Sequence, residues 1–69
     1  MSHHTYKYIE LTGSSEVGSD DAIKNAIEAA SRTNKNMDWF EVMETRGHIV
    51  ESQIKHWQVT IKIGYRLED

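Results

Sequence analysis

The 69-residue chain contains no cysteine. Disulfides and thiolate metal sites are excluded, so neither can brace so small a domain. It also lacks an excess of positive charge. Eight Lys and Arg against eleven Asp and Glu leave a formal net charge of -3, too little basic field for a sequence-independent grip on nucleic acid. No apolar run approaches the ~20 residues that span a bilayer, so a membrane is not an expected partner either. The opening Met1–Thr5 is short and polar, which reads as a flexible tail and not as a signal peptide. Residues 6–69 read as one domain, and the chain as a cytoplasmic protein. A domain this short buries only about 60% of the surface its unfolded chain exposes. With disulfides gone and no clustered histidines, oligomerisation is the remaining route to added stability.

What is present falls into four segments. Tyr6–Thr12 alternates Ile9 and Leu11 against Tyr8 and Glu10, a first strand that Gly13-Ser14-Ser15 is expected to break. Ser19-Asp20-Asp21 opens a helix: Ser19 or Asp20 supplies the cap, and the carboxylates sit at the positive end of the helix dipole. Ile23, Ala26, Ile27 and Ala30 recur at i, i+3, i+4 and i+7 as one narrow, alanine-rich stripe, and the helix runs to about Thr33. Two period-two runs follow, Trp39–Val50 and Ile54–Leu67, around the polar Glu51-Ser52-Gln53: a long antiparallel hairpin. Trp57, Val59, Ile61, Ile63 and Tyr65 are expected to face the helix, joined by Phe40 and Val42. The alternation falters between Met43 and Gly47, where a bulge would turn Arg46 and His48 to the outer face. The expected fold class is α+β, ordered β-α-β-β, with a three-stranded antiparallel sheet half-wrapped around one helix.

If Phe40 and Val42 face inward, Trp39 faces away from the domain's own core. An indole there either packs in a subunit interface or stacks on a flat aromatic ligand. Gln58 shares that outer face. Its amide is either simply solvated or set to meet a ligand edge with mixed donors and acceptors, such as a flavin pyrimidine. Gln58 should lie opposite Thr45 and Arg46, some six residues or about 20 Å along the ladder from Trp39. One chain cannot close both around one small ligand, so a shared site requires neighbouring subunits. Arg46 suits a phosphate or ring contact, or an intersubunit salt bridge; Glu41 and Glu44 stand near enough to form a charge network with it. His48 and His56 read as hydrogen-bonding surface groups. No nucleophile–base or carboxylate pair emerges, and Gly13 and Gly18 lack the Lys-Ser/Thr that completes a P-loop. An enzyme is not expected.

Trp39-Phe40-Glu41-Val42, Arg46-Gly47-His48-Ile49 and His56-Trp57-Gln58-Val59-Thr60, followed by Lys62 and Gly64-Tyr65-Arg66, resemble the dodecin family. The likeness runs from Tyr6 to Leu67 and takes in Glu10-Leu11-Thr12-Gly13-Ser14-Ser15 and Ser31-Arg32-Thr33. It implies a hollow homododecamer that binds FMN, riboflavin or FAD between subunits, stores the flavin and quenches its photochemistry. By that resemblance Trp39 stacks on the isoalloxazine, with paired flavins between two indoles. Gln58 hydrogen-bonds the ring, and Arg46 contacts the ligand. Some members bind coenzyme A through basic positions, for which Arg32, Lys35 and Arg66 are this chain's candidates. A coenzyme-A-binding or purely structural shell without flavin is the alternative function. Two positions depart from the family pattern. Asp38 stands where many members carry a basic or neutral residue, which sets a carboxylate near the phosphate side. Trp57 replaces the more usual tyrosine on the expected core face.

Overall fold

The computed structural model describes residues 3–67. Of the tail expected over 1–5, Met1 and Ser2 lie outside those residues, while Thr5 is tied down: its carbonyl accepts the Leu67 N–H at 2.8 Å. The element order is β1 (Tyr6–Ser15), α1 (Ser19–Ser31), β2 (Met37–Val50) and β3 (Gln53–Arg66). The sheet is antiparallel with β3 in the centre, in the order β1-β3-β2. The expected α+β, β-α-β-β architecture is the one observed.

Central placement explains why β3 carries the core. Val59, Ile61 and Ile63 are fully buried, and Ile9 and Leu11 of β1 pair with Ile63 and Ile61 and pack beside them. Against this face lie Ala22, Ala26 and Ala30, a stripe with the i, i+4, i+8 spacing of one helix face. Ile23 and Ile27, expected to share the stripe with Ala26 and Ala30, flank it half-buried. Trp57 and Tyr65, at the two ends of the expected core row, are likewise only half-buried.

Three local expectations are corrected. Gly13 does not break β1, which runs on to Ser15. It lets the helix sit down on the strand: a Cβ there would run into the Ala22 carbonyl oxygen and come within 2.8 Å of the Ala26 Cβ. Neither Ser19 nor Asp20 caps the helix. Gly18 occupies the cap position and makes no side-chain cap hydrogen bond. The turn into α1 is organised from β1 instead, where Ser15 Oγ accepts the N–H groups of Val17 (2.8 Å) and Gly18 (3.4 Å) and donates to Asp21 Oδ2 at 2.7 Å. The helix ends at Ser31, two residues earlier than expected.

A further difference, in β2, matters most for function. Phe40 and Val42 pair with Ile63 and Ile61 and so share the helix-facing side of the sheet, yet they remain 45% and 47% exposed. The helix rests chiefly on β1 and β3, and of β2 only Met37 is packed against the buried core. Thirteen helical residues span about 20 Å, whereas the 14-residue strands span about 46 Å. The hairpin therefore outruns its cover, leaving Met43, Ile49, Val50 and Ile54 exposed as well.

At the hairpin tip Glu51 and Ser52 form a two-residue loop with φ of 52° and 65°, between the paired Val50 and Gln53. Two consecutive left-handed residues are the type I′ geometry that matches sheet twist and favours Asn-Gly. A residue with a Cβ pays about 1–2 kcal/mol there. Ser52→Gly is expected to stabilise each chain by about 1 kcal/mol and to raise Tm by roughly 4–8 °C, read by calorimetry.

Candidate functional site

The face of the sheet away from the helix is organised in cross-strand rows. Tyr8, Gly64 and Trp39 form the first, and Glu10, Lys62 and Glu41 the second. Thr12, Thr60 and Glu44 follow, then Ser14, Gln58 and Arg46, then His56 and His48. The order depends on the expected bulge, found where the register shifts between Val42 and Glu44. Met43 is the extra residue, and without it Arg46 and His48 would point toward the helix side.

Trp39 lies outward, as its alternation with Phe40 requires, and is 37% exposed. Its indole lies across Gly64, where any Cβ would collide with the ring's Cζ2 and Cε2 atoms. Tyr6 and Tyr8 meet it edge-on, with centroids at 5.1 and 5.8 Å and interplanar angles of 63° and 87°. Edge-to-face contacts are favourable and leave ring orientation fixed. The seat of Trp39 is thus Gly64 and two tyrosines, none of which the sequence reading singled out. A glycine directly opposite a tryptophan in a strand is the signal that marks it.

Beside this seat the Glu41 carboxylate raises the Tyr8 phenol above its ordinary value of 10.0, opposed in part by Trp39. A raised folded value means that the neutral phenol is the form favoured by the fold below that value, and that this preference is lost as pH rises through it. In Glu41→Gln the Tyr8 titration, followed by phenolate absorbance, is expected to move back down.

Arg46 pairs directly with Gln58, and Gln58 stands six residues along β3 from Gly64, the partner of Trp39. That is about 20 Å, as expected, so Trp39 and Gln58 share a face without sharing a pocket in one chain. The charge network expected of Arg46 with Glu41 and Glu44 is not formed: among the described residues the ion pairs are Arg32–Glu28 at 3.7 Å and His56–Glu16 at 3.8 Å.

The three basic candidates divide. Lys35 and Arg66 line one open depression of about 270 Å³ at the end of the sheet, and Arg66 also borders a second with Asp38. Arg32 lines neither and is held by Glu28 on the exposed helix end. Among the described residues no helix is long and apolar enough to cross a membrane.

Comparison with known proteins agrees with this geometry. The dodecin of Thermus thermophilus is 47% identical over 64 residues, 93% of either chain. The solved dodecin of Streptomyces coelicolor superposes with a TM-score of 0.94 at 49% identity, covering 100% of this chain and 99% of that one. That of Streptomyces davaonensis gives 0.94 at 51%, covering 99% and 100%. The family profile named Dodecin matches residues 5–68, and the chain belongs to the dodecin family.

Proposed function

We propose that this chain is a cytoplasmic flavin reservoir that assembles into a hollow homododecamer and holds FMN, riboflavin or FAD between its subunits. The observation that carries the reading is the outward Trp39, kept in one orientation by Tyr6, Tyr8 and Gly64 with over a third of its surface open. Leaving an indole in water costs roughly 25 cal/mol for each Å² of apolar area, and a flat aromatic ring laid on it recovers that area by stacking. Gln58 supplies amide donors and an acceptor for the polar edge of the isoalloxazine, and Arg46, in the same row, a cation for ring or phosphate.

Assembly follows from the uncovered strand. Phe40, Val42, Met43, Ile49, Val50 and Ile54 are exposed in the single chain, a load that soluble monomers rarely carry and that further copies would bury. A shell also meets the distance problem, since Trp39 of one subunit and Gln58 of another can close on one ligand. An indole stacked on the excited flavin quenches it, which suits storage. The proposal assigns no catalytic step, and steady turnover of reduced nicotinamide by flavin-loaded protein would overturn that part.

Equilibrium dialysis against riboflavin and FMN, with particle mass from light scattering, tests the reading. About one flavin retained per subunit on a particle of twelve is the expected result. A monomer that retains flavin would contradict the subunit-built site. A shell that retains none would move the function to the second reading, a coenzyme-A-binding or structural assembly. The observation favouring that second reading is the Lys35–Arg66 depression, with two cations placed for an anionic ligand. Asp38 borders a separate depression with Arg66, and its carboxylate works against a phosphate in that one.

A further inference from the structure

The last row of the outer face takes no part in the reading above. His48 and His56 stand directly opposite one another on β2 and β3, their ring centroids 6.4 Å apart and tilted by 55°. The row continues onto β1's side. Ser15 pairs with Trp57, so the next residue, Glu16, falls beside His56, and its Oε2 lies 3.8 Å from His56 Nε2. Two imidazoles and a carboxylate thus share one edge of the sheet, next to the hairpin tip. Glu16 is well exposed, and the His56 side chain is 37% exposed.

We propose that His48, His56 and Glu16 form a surface site for a first-row divalent transition ion of the zinc, nickel and copper class, completed by water. Neutral imidazole is the protein ligand these ions favour, and one carboxylate is compatible with them. The separation of 3.8 Å is too long for a good hydrogen bond. It is close to what a shared ion asks for: ligands at about 2.0–2.1 Å in tetrahedral array stand about 3.4 Å apart. As they stand, no three such side chains among the described residues are close enough together to hold a metal. His48 is the group that has to turn, and in the single chain it is exposed. Cross-strand pairing fixes the two histidine backbones, so chelation requires only side-chain rotation. The site lies one row beyond Gln58 and Arg46 and does not depend on flavin.

Zinc titrated into flavin-free full-length protein, followed by calorimetry, tests the assignment. His3→Ala/His4→Ala removes the tail imidazoles and is expected to leave an intact binding step. In that background, His48→Gln or His56→Gln should each weaken zinc by no less than the roughly 10–100-fold typical of losing an outer-shell partner. Glu16→Gln should weaken it less than either. Loss of all binding with the tail histidines, or unchanged affinity in both His48→Gln and His56→Gln, would overturn the site. If a variant fails to fold, histidine NMR of the parent decides: zinc should shift the His48 and His56 rings together, and unmoved rings refute the proposal.

Discussion

Replacing Trp39 with alanine is expected to remove most of the flavin affinity and nearly all of the fluorescence quenching, while the shell stays assembled. Stacking of a heteroaromatic base on an aromatic side chain is worth roughly 1–3 kcal/mol by alanine substitution. That corresponds to roughly a five- to 150-fold loss in affinity per stacked face, and more if paired flavins each lose an indole. Assembly should persist because the indole's partners, Tyr6, Tyr8 and Gly64, belong to its own chain. The apolar surface offered to neighbours is carried instead by Phe40, Val42 and the hairpin beyond the helix. Trp39→Phe should fall between the two, keeping a ring of smaller area. Flavin titration by fluorescence and particle mass by light scattering read the two halves of the prediction separately. Unchanged affinity in Trp39→Ala would remove stacking from the account.

The second large effect concerns folding. Gly13→Val places a branched side chain where even a Cβ meets the Ala22 carbonyl and the Ala26 Cβ. A backbone carbonyl cannot turn aside as a flexible side chain can, so the helix must lift off β1. Lifting it opens the Ala22-Ala26-Ala30 contact on which the buried core rests. Overpacking of this kind costs about 1–3 kcal/mol, occasionally more. At the upper end, the fall in Tm for a domain of this size is roughly 12–24 °C. Gly18→Val is the contrasting control, because a Cβ at Gly18 meets nothing within 4 Å. A Gly13→Val protein with the parent's Tm would show that the helix is not seated by that glycine.

Alternation carries far in this sequence because β1 and β3 each pack one side against the helix. Ile9, Leu11, Val59, Ile61 and Ile63 announce the inner face, so Trp39, Arg46 and Gln58 follow as outer residues once Met43 is read as a bulge. Periodicity does not reveal which strand lies in the middle. With β3 central, Phe40 and Val42 have the right orientation and no helix above them. Close approach is equally invisible to pattern. Gly13 resembles a strand breaker because glycine is common in turns, yet it serves as a gap for a helix backbone. The helix start at Ser19 is legible, but its cap is not, for a related reason: the polar partner, Ser15, comes from the preceding strand and not from the helix's own first turn. The tyrosine seat of Trp39 needs β1 and β2 to flank the same strand, which only the sheet order establishes.

The central claim is that the flavin site is divided between chains, with Trp39 from one and Gln58 from another. Co-expression of Trp39→Ala and Gln58→Ala subunits tests it, with flavin quenching measured on shells of each variant alone and on mixed shells. Mixed shells contain some sites where an intact Trp39 meets an intact Gln58 from a different chain. Quenching well above the mean of the two parents is the result this account predicts. Quenching no greater than that mean, on properly mixed shells of full size, would contradict it.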